Sequence, residues 1–250
     1  MSNHLYNYLL RLGDTNLILS HRLSENCSKG PYLEEDLAIA NTGLDLLGAG
    51  EQFLIYAAQV SDEDITADDL AYKRIETKFY NLQLAELPNT DFAHIMARQF
   101  LMDVYNFYLY KELSSSKDET ISAIAVKSLK EVTYHLRRSS EWMIRLGDGT
   151  DESHSRIQEA LNHVWFYTNE IFDADETDNE MLSAGIGADL SKVKSNWEAK
   201  IEEILALATL NKPELEFFAH GSKKGIHTEH LGYLLAEMQY LPRFYADAKW

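Results

Sequence analysis

FAHIMARQFLMDVYNFYLYKEL (residues 92–113), SSSKD (114–118) and ETISAIAVKSLKEVTYHLRRSSEWMIRL (119–146) make up the stretch that decides the fold. It reads as two long helices, 92–113 and 119–146, joined by the polar turn 114–118. Asp103 lies near the middle of the first helix, and Glu131-Val132-Thr133-Tyr134-His135 near the middle of the second. Asp103 is about 13 residues before the centre of the turn and Val132 about 16 after it. At ~1.5 Å per residue that offset is roughly one helical turn or less. Antiparallel packing would therefore hold Asp103 level with the turn from Val132 to His135. A carboxylate facing a Glu-x-x-His turn is half of the donor set of a di-iron helical bundle. Here the histidine is present, but the residue three before it is valine.

Composition points the same way. The chain has 250 residues and is 45% hydrophobic, enough for one large helical domain or two small ones, and its four prolines and twelve glycines favour long helices over many short strands. A single helical-bundle domain over 1–250 is the expectation. A formal net charge of −17 argues against nucleic acid or an anionic membrane as a main partner. One cysteine, Cys27, excludes an intrachain disulfide and a cysteine-rich metal site. No signal peptide is visible at the N-terminus, and no apolar run reaches the ~18 residues of a membrane span. A soluble cytoplasmic protein is expected.

Working outward, 5–23 reads as a first helix that Gly13-Asp14 bends, and 32–60 as a second. The second helix is apolar on more than one side between Leu37 and Leu47, so it is expected to be buried. Glu34, Glu35 and Asp36 suit its first turns, where the helix dipole favours negative charge. Thr66 with Asp69 forms a weak capping box, followed by a third helix over 70–87 that Pro88 ends. Beyond the central pair, 151–173 is expected to be helical. The acidic run 174–187 is a loop facing water, 189–210 a helix, 213–225 irregular, and 227–241 a last helix stopped by Pro242. With no strand pattern, the class is all-α: a bundle of long antiparallel helices with extra C-terminal ones.

Candidate chemistry is sparse. Glu-x-x-His occurs nowhere: Glu131–His135, Glu159–His163 and Glu216–His220 are one residue too far apart. Asp91–His94 and Asp151–His154 have the right spacing but follow helix-breaking segments, so both acids read as caps. Asp103 sits on a stripe with Met96, Phe100, Phe107 and Tyr110, where an unpaired carboxylate is costly, so His135, a base or a metal should satisfy it. Asp45 is expected to be a polar group bonded within the bundle. Gly221-Ser222-Lys223-Lys224-Gly225 leads into the last helix; an anion-holding turn and a plain flexible loop are both open readings. It lacks Walker spacing. His227 and His230 are a histidine pair with no evident third ligand.

The runs LEEDLAIAN (33–41), GLDLLG (43–48), KEVTYHLR (130–137), FDADE (172–176), KKGIHTEHLG (223–232) and LAEMQYL (235–241) resemble the C-subunit family of bacterial phenylacetyl-CoA 1,2-epoxidases, over essentially the whole chain. The resemblance implies a ferritin-like fold and a role in aerobic phenylacetate breakdown. It implies that a sister subunit of the same fold carries the di-iron centre and epoxidises the ring of phenylacetyl-CoA, with electrons from a reductase subunit. By resemblance to that sister, Asp103 and His135 match two ligand positions and Val132 replaces a ligand glutamate.

A degenerate metal site is therefore expected, with no cofactor bound by this chain and the di-iron in the partner. The expected partners are that catalytic subunit, further small and reductase subunits, and phenylacetyl-CoA at the interface. Lys223 and Lys224 are candidates for the interface or the CoA phosphates. Self-association of the chain alone stays open. Two rivals stand beside this reading: a di-iron oxygenase with irregular ligands such as Asp103, His135, Asp45 and Glu76, and a homodimeric scaffold.

Overall fold

The computed structural model describes residues 2–245. The chain divides into two compact units, Met1–Pro88 with Gly221–Trp250, and Asn89–His220. Among the described residues every regular element is helical, as expected.

The first unit is built on helices α1 (Ser2–Ser24) and α2 (Leu33–Val60), packed antiparallel. Gly13 does not break α1. It and Gly50 let the two helices approach: a Cβ on Gly13 would stand 2.7 Å from the Leu54 side chain, and one on Gly50 3.1 Å from the Gly13 carbonyl oxygen. The expectation that α2 is buried all round fails on one side, where Leu33, Leu37 and Leu44 are 70%, 54% and 63% exposed.

The expected third helix over 70–87 is also corrected. The segment folds as α3 (Ala67–Tyr72), a 3-10 turn at Glu76–Lys78 and a single turn α4 (Gln83–Glu86). Side chains of α1 take the backbone groups that a continuous helix would pair internally. Asp14 accepts from the Tyr80 amide at 2.9 Å, Thr15 Oγ1 from the Leu82 amide at 3.2 Å, and Arg22 donates to the Glu86 carbonyl at 2.8 Å. Asp14 also pairs with Arg74, whose guanidinium lies 4.2 Å from the Phe79 ring centroid. The Thr66–Asp69 capping box is present.

In the second unit, α5 (Phe92–Leu113) and α6 (Glu119–Gly147) match the expected central pair to within a residue. Asp118 caps α6 by accepting from the Thr120 and Ile121 amides at 3.0 Å. Asp91 caps α5 as expected, but α7 (Asp151–Trp165) is capped by Thr150 rather than Asp151. α7 ends eight residues early, and a 3-10 turn at Asn169–Phe172 follows. The acidic run is not simply a solvated loop: it holds α8 (Glu176–Ser183), capped reciprocally by Asp175 and Asp178, with Thr177, Asp178 and Met181 buried. α9 (Leu190–Leu207) sends the Trp197 indole N–H to the Leu101 carbonyl of α5 at 3.0 Å.

The first unit closes with α10 (Glu229–Phe244). Pro242 does not stop it. In the last turn a proline removes one donor only, and Arg243 anchors that turn to the carbonyls of Tyr72 and Arg74. Among the described residues no helix is long and apolar enough to cross a membrane.

Candidate functional site

The structure brings together the residues singled out on the central pair. Asp103 projects from α5 and is fully buried; His135, Arg138 and Ser139 are buried on α6. Gln99, one turn before Asp103, donates Nε2 to Asp103 Oδ1 at 2.6 Å. Burial raises the Asp103 carboxyl to about 6, against the pull of His135, then of Ser139 and Gln99, then of Arg138. The aligned hydrogen bond of the Ser139 hydroxyl goes to the Leu136 carbonyl at 3.3 Å. Asp103 Oδ2 and Gln99 Oε1 are left as buried acceptors without a well-formed bond. A buried carboxylate so supplied takes up a proton easily.

The donor set does not fit a pair of irons. Such a centre takes carboxylates from four helices and two imidazoles. Here Val132, 2% exposed, stands one turn before His135 where a glutamate would be needed. Arg138 puts a guanidinium near the Asp103 carboxylate, which opposes a second cation there. Among the described residues, no three His, Cys, Asp or Glu side chains are placed to hold a metal ion. Asp45 is half-buried on α2, and Glu76 is exposed at the head of a 3-10 turn.

The lysine loop is a closed turn. Gly221 and Gly225 adopt left-handed backbone around the 3-10 turn Ser222–Lys224. The amides of Lys224 and Ile226 donate to the Gly221 carbonyl, and that of Gly225 to Ser222. Ile226, His227 and Thr228 separate this turn from α10, which Thr228 caps. Lys224 is exposed and Lys223 half-buried.

Sequence reasoning missed a second buried polar site. The side chains of Glu86 and His227 are both fully buried, with Nδ1 2.9 Å from Oε2. The second ring nitrogen of His227 donates to the Phe79 carbonyl at 2.8 Å, and Glu86 accepts from Asn81 at 2.8 Å and from the Thr228 amide at 2.5 Å. Both imidazole nitrogens face acceptors, so the arrangement favours the doubly protonated ring. Burial lowers the His227 pKa, but Glu86 and the Phe79 carbonyl outweigh it and raise it. His227 and His230 do not form a ligand pair. The first is bound to Glu86, and the second gives its carbonyl to Arg22 at 3.0 Å.

Comparison with known proteins agrees with this picture of a helical chain. A curated relative, the C component of the 1,2-phenylacetyl-CoA epoxidase of Escherichia coli (strain K12), is 47% identical over 248 residues, covering 99% of this chain and 100% of that protein. The sequence profile of the family described as phenylacetic acid catabolic protein, whose fold is ferritin-like, matches residues 1–250. The chain therefore belongs to the phenylacetic acid catabolic protein family.

Proposed function

We propose that this chain is a non-catalytic, structural or regulatory subunit of a phenylacetyl-CoA 1,2-epoxidase, paired with a di-iron catalytic subunit of the same fold. Membership of such a complex is supported by 47% identity to an epoxidase component along the full length of both chains. The non-catalytic role is supported by one observation above all: apolar Val132 and cationic Arg138 flank Asp103 and His135 where further oxygen ligands would be required. The reading includes small and reductase subunits as further partners and a cytoplasmic location. Lys223 and Lys224 are assigned to the partner interface or to the phosphates of the CoA ester.

Elemental analysis and co-expression test it together. The purified chain should hold far less than one iron and turn over no phenylacetyl-CoA, while its addition should raise the activity of the catalytic subunit. About two irons per chain would favour the rival, an oxygenase acting alone. Reversing charge at both Lys223 and Lys224 should weaken assembly or raise the apparent KM for the CoA ester. If neither changes, the lysine assignment is wrong.

A further inference from the structure

Gly48 has no reason to be glycine within this chain. It lies mid-helix in α2 with ordinary helical backbone, and a Cβ built on it meets nothing within 4 Å. Helix-interior glycine is destabilising relative to alanine, because it loses more backbone freedom on folding. Its neighbours on α2 differ. Gly50 touches the backbone of α1, and a Cβ on Gly43 would stand 3.4 Å from the Ser20 carbonyl oxygen.

The residues around Gly48 supply a context. Leu33, Leu37, Leu44 and Leu47 recur at spacings of three, four and seven on the exposed side of α2, with half-buried Ala40 between them. The stripe runs for about 21 Å at ~1.5 Å per residue. An apolar seam with small residues in it is what a second helix needs for close approach, since a missing Cβ lets the backbones near each other.

Charge selects the kind of helix. α2 carries Glu34, Glu35, Asp36, Asp45 and Glu51, and no lysine, arginine or histidine. Glu34 and Glu51, near the two ends of the stripe, are exposed. Two copies of α2 laid antiparallel with Leu33 of one over Leu47 of the other would bring Asp45 of one level with Glu34 and Glu35 of the other, and parallel copies would set each acid beside its twin. Like charges across an interface select against that pairing.

We propose that this face of α2 docks a helix of a different chain, the di-iron catalytic partner of the proposed complex, with an apolar seam closing on Gly48 and basic residues along its flanks. The choice of partner rests on that reading; the position of the surface does not.

The test uses the full-length chain and the separately purified catalytic subunit. Gly48→Trp and Leu44→Glu should each weaken their association at least about tenfold, a change of about 1.4 kcal/mol. Val126→Glu, at an exposed apolar position on α6, should stay within about twofold of the parent. Melting temperatures of all three should not fall, since each site is open. Glu34→Lys with Glu51→Lys should weaken binding and flatten its dependence on salt. If the stripe variants bind as tightly as the parent, the docking surface is wrong and the subunit reading stands. If the parent itself does not bind the catalytic subunit, both fail. A homodimer of the parent chain that dissociates on Leu44→Glu would make a second copy the occupant and overturn the proposal.

Discussion

Glu86 and His227, 141 residues apart in sequence, form a hydrogen-bonded pair 2.9 Å apart with neither side chain reaching solvent. His227→Gln leaves the Glu86 charge buried against a neutral amide, a loss on the order of 3 kcal/mol. The His227 pKa is raised in the fold, with the Glu86 and Phe79 acceptors overcoming burial. A raised histidine gives its full stabilisation below its unfolded value, about 6.5, and loses it as pH rises through the folded value. Urea unfolding of parent and variant should therefore differ most below about pH 6.5 and converge as pH rises through the raised folded value. A gap that widens with pH would falsify the assignment.

Asp103 predicts the opposite sign. Its carboxyl is raised to about 6 by burial, against about 3.9 in the unfolded chain. The charged form is then disfavoured in the fold, so the group costs stability above about pH 6 and ceases to do so as pH falls toward 4. Asp103→Asn should stabilise the chain at about pH 8 by up to about 3 kcal/mol, with the gain vanishing near about pH 4. The amide also offers a donor to the unsatisfied Gln99 Oε1. A destabilised Asp103→Asn at pH 8 would show that the carboxylate is paired more strongly than its surroundings imply.

Val132→Glu restores the Glu-x-x-His spacing on α6 without supplying the remaining ligands. The variant should bind no iron and lose about 2–5 kcal/mol by burying a second carboxyl beside Asp103. Iron content after anaerobic loading, read with thermal melts, checks both statements. Metal uptake accompanied by a rise in melting temperature would mean that the missing donors come from elsewhere in the chain.

Gly48 and Gly147 give opposite outcomes for the same substitution. Gly48→Ala adds a methyl to open space and should stabilise the isolated chain by about 0.5–1 kcal/mol. At Gly147, the last residue of α6, a Cβ would overlap the Ala208 carbonyl oxygen, which is backbone and cannot rotate away. Gly147→Ala should cost on the order of 2 kcal/mol or more. Denaturant midpoints of the two variants should fall on either side of the parent.

The parts of this fold that could be read from sequence are those fixed by nearby residues. The central helix pair is delimited by its own apolar spacing and by Asp118, which caps α6 two and three residues on. Counting turns was enough to bring Asp103 and His135 together. The segment 70–87 could not be read this way, because Asp14, Thr15 and Arg22 capture its backbone from more than 60 residues away. α8 did leave a local signal, the Asp175–Asp178 box, hidden in a run of acids that looked uniformly solvated. The Glu86–His227 site left none: Glu86 is unremarked in its own neighbourhood, His227 reads there as the companion of His230, and only the tertiary fold pairs Glu86 with His227. The exposed stripe on α2 was legible as apolar but not as exposed, since periodicity does not say which side a neighbour covers.

The Glu86 network also sets an order of events during synthesis. Its carboxylate is made early, yet the imidazole and amide that enclose it belong to residues 227 and 228. Until those emerge from the ribosome, the earlier helices must hold an acid with no counter-charge, and so stay loose around it. A stalled or clipped polypeptide ending before residue 221 should accordingly be recognised by proteases as unfinished, whereas arrival of the last segment locks the first.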